Sequence, residues 1–306
     1  MTEFPALASA EAGTAAAGDA VDMDVGDLLA KPFSVFAPEP HTAPFLFASP
    51  HSGRVYPQSF LAASRLDPIG LRRSEDAFVD ELFACAPELG AYLISVHFPR
   101  AYLDVNRAES ELDAAMFDGP VVSRNGPRSA RVAAGLGVIP RVVREGMEIY
   151  RAPLPAREAG FRLEAFYRPY HEALAHRIAR TKERFGSAIL IDCHSMPPLT
   201  CGHDVVLGDC HGGAASSGLT DGVERILTGL GFNVGRNAPY AGGYTTSLYG
   251  RPHMGVHALQ IEINRALYLN EKRIEKTQGF AACAGAIRQF VAGLVSTPSL
   301  WDAHKV

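Results

Sequence analysis

Two histidines follow short apolar runs of this chain, where buried strands are expected to end. His51 comes shortly after the run Phe45–Ser49, and His194 follows the apolar residues 188–191. Short apolar runs are typical of buried strands, and open α/β sheets bind ligands at the carboxyl ends of their strands. Catalytic zinc commonly has two histidines and one carboxylate as ligands. The pair of histidines therefore predicts a metal site. The alternative is that each imidazole caps its strand by forming a hydrogen bond with the backbone.

The third ligand of such a site is expected near the start of a helix predicted over residues 70–88. Glu75 and Asp76 are both candidates there. Their alternative role is to stabilise the positive N-terminal end of that helix. We favour Asp76, because Asp80 lies four residues later on the same helical face and can support it.

Glu262 is an acid inside a strand predicted over residues 258–263. Side chains alternate along a strand, so the apolar residues 259, 261 and 263 point to one face and Glu262 to the other. A carboxylate in a central strand is costly unless it is paired or functional. The functional interpretation is a general base that takes a proton from an attacking water. The alternative is an ion pair with Arg107 or Arg265.

Two arginines are candidates for holding a substrate carboxylate with the planar, two-pronged guanidinium group. Arg107 follows a short strand predicted over residues 103–106, and Arg151 is the second candidate. The alternative for Arg107 is a surface ion pair with Glu109 or Glu111. Beside a zinc site, such an arginine predicts a substrate that carries a free carboxylate.

Strands and helices alternate along the segments that must position these residues. Apolar runs predict strands over residues 45–49, 91–98, 103–106, 187–193, 204–207, 232–235 and 258–263. Helical spacing predicts helices over residues 70–88, 155–184 (bent or split at Pro169), 218–230 and 270–295. This alternation predicts an α/β sandwich with helices on both faces of the sheet. The Gly- and Pro-punctuated segment 108–150 is expected to form a lid or rim.

Composition narrows the class of protein. The 306 residues have a formal net charge of −4, with 47% hydrophobic and 20% charged residues, which is ordinary for a globular protein. The charge balance shows no excess of basic residues that would favour binding to nucleic acid. No apolar run reaches the length of about 18 residues that a membrane-spanning helix needs. The five cysteines lack C-x-x-C spacing, which favours reduced thiols in a cytoplasmic protein.

The first residues differ in composition from the rest of the chain. Residues 1–30 are rich in Ala, Gly and Asp and contain few large apolar side chains. Such a segment cannot bury enough surface to order itself. We therefore expect a mobile leader over residues 1–30 and a single α/β domain over residues 31–306.

Several separated motifs together resemble the N-formylglutamate amidohydrolase family. The resemblance covers about residues 33–270 and rests on Pro50-His51-Ser52-Gly53, residues 74–80, Asp104-Val105-Asn106-Arg107, Asp192-Cys193-His194-Ser195 and residues 260–265. It implies a three-layer α/β/α sandwich with a central mixed sheet, similar to zinc carboxypeptidases, and one zinc ion per chain. It also implies hydrolysis of N-formyl-L-glutamate to formate and L-glutamate, a step of histidine degradation.

The resemblance assigns roles to the candidate residues. It implies that His51 and His194 are metal ligands and that Asp76 or Glu75 is the acid ligand. It also implies that Asn106 and Arg107 hold the substrate carboxylate. Glu262 matches the catalytic glutamate of the family. The implied partner is a small N-acyl amino acid with a free carboxylate, and no pattern predicts an oligomeric state.

Two other functions remain open. One is a deacylase for a different N-acyl amino acid. The other is a metal-stabilised binding protein without turnover, against which Glu262 argues, because structural zinc usually has four protein ligands. Divalent iron, cobalt or manganese could occupy the same kind of site.

Overall fold

The protein is described by a computed structural model that covers residues 21–23, 25–121, 129–144, 146–198 and 202–301. Its strands are β1 Val21–Met23, β2 Phe33–Phe36, β3 Phe45–Ser49, β4 Val55–Pro57, β5 Tyr92–Val96, β6 Phe117–Asp118, β7 Leu154–Pro155, β8 Ala188–Met196, β9 Val205–Gly208, β10 Val234–Arg236, β11 Val256–Asn264, β12 Leu269–Asn270 and β13 Glu275–Lys276. Its helices are α1 Val25–Ala30, α2 Gln58–Ala63, α3 Pro68–Arg72, α4 Val79–Leu82, α5 Ala130–Ala133, α6 Arg157–Arg162, α7 Arg168–Phe185, α8 Ser217–Gly229, α9 Tyr244–Tyr249 and α10 Gly279–Val295.

Seven strands form one sheet in the order β10-β9-β11-β8-β3-β5-β2. The four neighbours β11, β8, β3 and β5 are parallel to one another. β2 and β9 run antiparallel to this central group, and β10 runs parallel to β9. The sheet is therefore mixed, as expected, and the carboxyl ends of β3, β8 and β11 lie side by side at one edge.

The side chains of β8 alternate between two hydrophobic cores, one on each face of the sheet. Leu190 packs in the core that contains Leu174 of α7. Ile191 packs in the core that contains Phe290 of α10 and Val223 of α8. All nine residues of β8 are buried, as expected for a parallel strand covered on both faces. This arrangement is the three-layer α/β/α sandwich that the sequence predicted.

The helix predicted over residues 70–88 is wrong, since the chain there forms the short helices α3 and α4 with a turn between them. Phe78, just before α4, has a left-handed backbone with φ of 65°. In the turn, the backbone N–H of Asp76 donates to the carbonyl of His51 at 3.0 Å, a bond across the fold instead of along a helix. Asp80 therefore does not share a helical face with Asp76, and the hydrogen bonds of the described residues include none between these two side chains. A hydrogen bond between residues far apart in the sequence has replaced the hydrogen bonds within a helix that the local spacing favoured.

Three other predicted elements also differ from the structure. The helix predicted over residues 270–295 begins only at Gly279, because the chain before it forms the short antiparallel pair β12 and β13. Residues 103–106 form no strand; instead the N–H of Asp104 donates to the carbonyl of Val138 at 2.8 Å. The segment predicted to bend or split at Pro169 stays helical over residues 157–185. A π-helical turn, Leu163–Tyr167, joins α6 to α7 just before Pro169. Proline lacks an N–H, and such a turn is one way to accommodate this.

The start of the described chain pairs with the rest of the fold. β1 runs parallel to β4, and Leu28 of α1 is buried. Residues 1–20, most of the predicted leader, lie outside the described residues. The domain division at residue 30 stays a prediction. No helix in the described ranges combines the length and the apolar character that crossing a membrane requires.

Candidate active site

A cavity of about 680 Å³ opens at the carboxyl edge of β3, β8 and β11. Its wall contains His51, Asp76, His194 and Glu262. Parts of the segment expected to be a lid or rim also line it, namely Arg131, Leu136, Pro140 and residues 142–144. The cavity therefore collects most of the residues that the sequence singled out.

The two histidines and Asp76 converge on one point. His51 Nδ1 lies 3.2 Å and His194 Nδ1 2.9 Å from the same oxygen, Asp76 Oδ2. One ligand atom from each residue lies within 4.8 Å of the others, and all three side chains are buried. The imidazole centroids are 4.8 Å apart. This arrangement is within reach of a single metal ion.

Each imidazole has a carboxylate behind it. His51 Nε2 donates to Asp104 Oδ1 at 2.8 Å, and His194 Nε2 lies 3.1 Å from Asp192 Oδ2. A carboxylate at one ring nitrogen holds the proton there and leaves the other nitrogen free to bind a metal. Both rings therefore present Nδ1 to the inner side of the cluster.

The electrostatics of the cluster favour a positive charge. Although burial opposes it, the Asp192 carboxylate raises the pKa of His194 well above its ordinary value. Burial likewise favours neutral Asp76, yet hydrogen bonds from His194 and His51 hold its pKa well below the usual range. Arg265 donates to Asp76 Oδ1 at 2.8 Å, which leaves Oδ2 directed at the histidines. The donor set and its charge thus fit a divalent cation.

The structure separates the two acids that the sequence left open. Glu75 accepts a hydrogen bond from Tyr56 at 2.7 Å and one from Arg72 at 3.1 Å, so its carboxylate is engaged away from the histidines. Asp76 alone of the two joins His51 and His194. The preference for Asp76 therefore agrees with the geometry, although the reason given for it does not.

Glu262 lies next to this cluster on β11, paired in register with His194 on β8. Gln260 donates to its Oε1 at 2.8 Å, and no ion pair of Glu262 is found among the described residues. Burial raises the pKa of the Glu262 carboxyl to about 7, with Asp76 adding to the rise and His194 opposing it. A carboxyl with a pKa near neutrality is suited to exchange protons with a reacting group.

Arg107 lines the cavity and is buried. Its Nε donates to the carbonyl of Leu136 at 3.0 Å, and its terminal NH2 group lies 3.9 Å from Asp104. The surface ion pair considered as an alternative does not form with Glu109, which pairs with Arg168 instead. The guanidinium is therefore held in place at the cavity wall.

The other predicted substrate residues are placed differently. Arg151 is exposed, is absent from the cavity lining, and donates from Nε to the carbonyl of Ser64 at 2.7 Å. Asn106 lines the cavity, but its Oδ1 accepts from the N–H of Thr245 at 2.8 Å. The structure thus brings Asn106 to the site and leaves Arg151 outside it.

Sequence reasoning missed several polar residues of the site. Arg100 lines the cavity and donates from Nε to Asp104 Oδ2 at 3.0 Å. Tyr240 also lines the cavity, as part of the loop over residues 239–243. Asp104 and Asp192 were inside the motifs but had no assigned role. A signal existed for Asp192, since Asp192 and His194 are two apart on a strand and so share a face.

The fold and the site together define a three-layer α/β protein with a buried His-Asp-His cluster beside an acid of raised pKa. The sequence pattern of the N-formylglutamate amidohydrolase family matches residues 43–269. The chain belongs to this family, and is therefore a hydrolase that acts on an amide bond.

Relatives of known name support this membership. The chain is 30% identical over 239 residues to N-formylglutamate deformylase of Pseudomonas aeruginosa, covering 75% of this chain and 83% of that protein. A crystal structure of N-formylglutamate amidohydrolase from Ralstonia eutropha JMP134 has a TM-score of 0.81 and 35% identity, over 86% of this chain and 97% of the other. The gene product Atu2144 of Agrobacterium tumefaciens, at 19% identity and a TM-score of 0.64 over 88% and 96%, shares the fold.

Proposed function

We propose that this protein hydrolyses N-formyl-L-glutamate to formate and L-glutamate, or a close N-acyl amino acid to its acid and free amino acid, with the help of one divalent metal ion. The observation that carries the proposal is the convergence of His51, Asp76 and His194 beside Glu262 in one cavity. The names of the Pseudomonas and Ralstonia relatives support the substrate. A cytoplasmic location and a role in histidine degradation are part of the same proposal.

Zinc is the metal that we propose, bound by His51 Nδ1, His194 Nδ1 and Asp76 Oδ2. Two imidazoles and one carboxylate are a common ligand set of catalytic zinc, although iron, cobalt or manganese also accept it. A bound divalent ion supplies Lewis acidity toward an amide carbonyl and a water molecule. The carboxylates Asp104 and Asp192 keep both Nδ1 atoms available for it.

Glu262 is the residue that we propose to move the proton. It takes a proton from the attacking water and passes it to the nitrogen of the leaving amino acid. Its position beside His194 on the neighbouring strand places it at the cluster, and burial with a pKa of about 7 suits both halves of the transfer.

Arg107 is the residue that we propose to hold a substrate carboxylate, which fixes the distance from that carboxylate to the scissile bond. The cavity wall also carries further guanidinium groups, those of Arg73, Arg100, Arg131, Arg144 and Arg265. Arginines at the wall suit a substrate with two carboxylates. Arg151 is not part of the proposal, because it does not line the cavity.

A deacylase for a larger N-acyl amino acid is the second candidate. The specific observation in its favour is the cavity volume of about 680 Å³, which leaves room for an acyl group larger than formyl. The acyl group and the side chain of the substrate can be varied independently to compare the two candidates.

The test is metal analysis of freshly purified protein together with an assay of product release. We expect about one divalent ion per chain and formate release from N-formyl-glutamate faster than from N-formyl-aspartate. Faster acetate release from N-acetyl-glutamate would favour the second candidate. Ligand-induced thermal stabilisation without any product would contradict both and support a binding protein.

A further inference from the structure

Asp192 lies directly behind His194 and has no exposed surface. The two residues are two apart on β8, so their side chains share one face of the strand. Asp192 Oδ2 lies 3.1 Å from His194 Nε2, on the side of the imidazole opposite to Asp76. A buried carboxylate needs partners of this kind, because an unpaired one would be strongly disfavoured.

The side-chain amide of Asn106 is directed at the same carboxylate. A backbone N–H can only donate, so the bond from Thr245 N at 2.8 Å identifies the oxygen end of the amide. The nitrogen end, Nδ2, then lies 3.4 Å from Asp192 Oδ2 and 3.1 Å from His194 Nε2. Thr246 Oγ1 is 3.5 Å from the same carboxylate oxygen. Both ends of the Asn106 amide are thus engaged by protein groups.

The backbone of Gly243 covers this amide. A Cβ atom at Gly243 would come within 2.4 Å of Asn106 Nδ2, and the Asn106 side chain is buried with 4% of its surface exposed. Close approach of this backbone needs glycine. The amide is therefore packed between Gly243 and the Asp192–His194 pair, a position better suited to supporting the pair than to binding substrate.

We propose that Asp192 and Asn106 are positioning residues of His194, and that Asn106 acts on this imidazole through Asp192 instead of binding the substrate carboxylate. Asp192 holds the His194 proton on Nε2, and Asn106 fixes the carboxylate by donating to the same oxygen. Without them, the other tautomer of His194 would place a proton on Nδ1, where the metal must bind. This inference rests on the metal site of the proposed function.

The test measures zinc affinity of metal-stripped protein by competition with a chelator, alongside kcat and KM. We expect Asp192→Asn to weaken zinc binding by about 10- to 100-fold, the usual range for such outer partners. Asn106→Ala should lower zinc affinity and kcat with KM changed less than about twofold. Arg107→Gln should show the opposite split, with raised KM and zinc affinity unchanged.

Asp209→Asn is the matched control for loss of a buried carboxylate. Asp209 is also buried, and it accepts hydrogen bonds from Asn237 at 2.9 Å and Thr220 at 3.0 Å. This variant should lose conformational stability, measured by urea unfolding, yet bind zinc as the unmodified protein does. If Asp192→Asn does not fold, the zinc affinity, kcat and KM of Asn106→Ala provide the test.

Two results would overturn the inference while leaving the proposed function intact. One is unchanged zinc affinity in the folded positioning variants. The other is a raised KM with unchanged zinc affinity for Asn106→Ala, which would assign Asn106 to the substrate. Failure of the unmodified protein to bind zinc or release product would instead remove the proposed function, and the inference with it.

Discussion

Glu262 carries the proton-transfer step of the proposed reaction, and a substitution can test this residue alone. Glu262→Gln keeps the shape of the side chain and an oxygen that can accept from Gln260. General acid–base catalysis contributes about 10²- to 10⁴-fold, so kcat should fall by that range while metal content stays at the level of the unmodified protein. Steady-state formate release and metal analysis measure the two quantities.

The control for Glu262 is another glutamate of a strand. Glu275 of β13 pairs with Arg273 and does not line the cavity. Glu275→Gln should retain full activity. Full activity in Glu262→Gln would remove Glu262 from the mechanism, and loss of metal from that variant would make it a ligand instead.

Arg107 was the first and Arg151 the second candidate for holding the substrate carboxylate, and substituting each of them tests which one does so. A hydrogen bond to a charged group contributes about 1.5–3 kcal/mol, so Arg107→Gln should lower kcat/KM by about 10- to 150-fold. Arg151→Gln should change kcat/KM less than about twofold, because Arg151 is exposed and bonded to the Ser64 carbonyl. Steady-state kinetics of both variants decide it, and equal losses would show that Arg151 reaches the substrate.

At the scale of elements, α7 supports the loop that carries Arg107. His171 of α7 donates from Nε2 to the carbonyl of Val105 at 3.0 Å, and its Nδ1 lies 2.9 Å from the Tyr249 hydroxyl. Tyr167 donates to the carbonyl of Arg107 at 2.8 Å. The loop without regular structure is thus held by α7 and by the π-helical turn directly before it, which contains Tyr167.

His171 makes the stability of this arrangement depend on pH. Burial lowers the pKa of His171 to about 4, against opposing effects of the Val105 carbonyl, Asp192 and Glu109. Between about pH 6.5 and 4 the unfolded chain binds a proton that the folded chain does not, so stability falls as the pH falls through this window. His171→Gln lacks this contribution, and its stability should fall less steeply.

Urea unfolding at pH 7.5, 6 and 5 measures this difference in slope. His176→Gln, on the exposed side of the same helix, is the control and should follow the unmodified protein. Parallel stability curves for the unmodified protein and His171→Gln would contradict the assignment, even if the variant were less stable throughout.

At the scale of the whole molecule, the proposed metal ligands join three distant parts of the chain. His51 follows β3, Asp76 lies between α3 and α4, and His194 is in β8. A ligand that binds only the folded state stabilises it by about 2.7 kcal/mol at 100 times its Kd. For a chain of about 300 residues, whose unfolding entropy is about 0.6 kcal/mol/K, that corresponds to a rise in Tm of about 4 °C.

Removal of metal should therefore lower Tm by this amount, and zinc should restore it. Thermal unfolding of purified, chelator-treated and zinc-reloaded protein measures the effect. The His194→Ala variant should have a low Tm that zinc does not raise. Equal Tm values for protein with one ion per chain and for stripped protein would contradict a site built from these three segments.

The sequence by itself determined the elements that depend on local pattern. Apolar runs located β3, β5, β8 and β11, and helical spacing located α7, α8 and α10. Alternation along β11 placed Glu262 opposite its apolar neighbours. These predictions succeed because burial and side-chain direction in strands and helices follow from residues only a few positions apart.

Only the tertiary structure decided which polar groups meet. The bond from Asp76 N to the His51 carbonyl broke the helix predicted over residues 70–88, and it brought Asp76 instead of Glu75 to the histidines. Asp192 and Asn106 acquired a common partner, His194, from a segment more than 80 positions from Asn106. The physical reason is that hydrogen bonds and charges act between groups close in space, whereas sequence patterns report only on groups close along the chain.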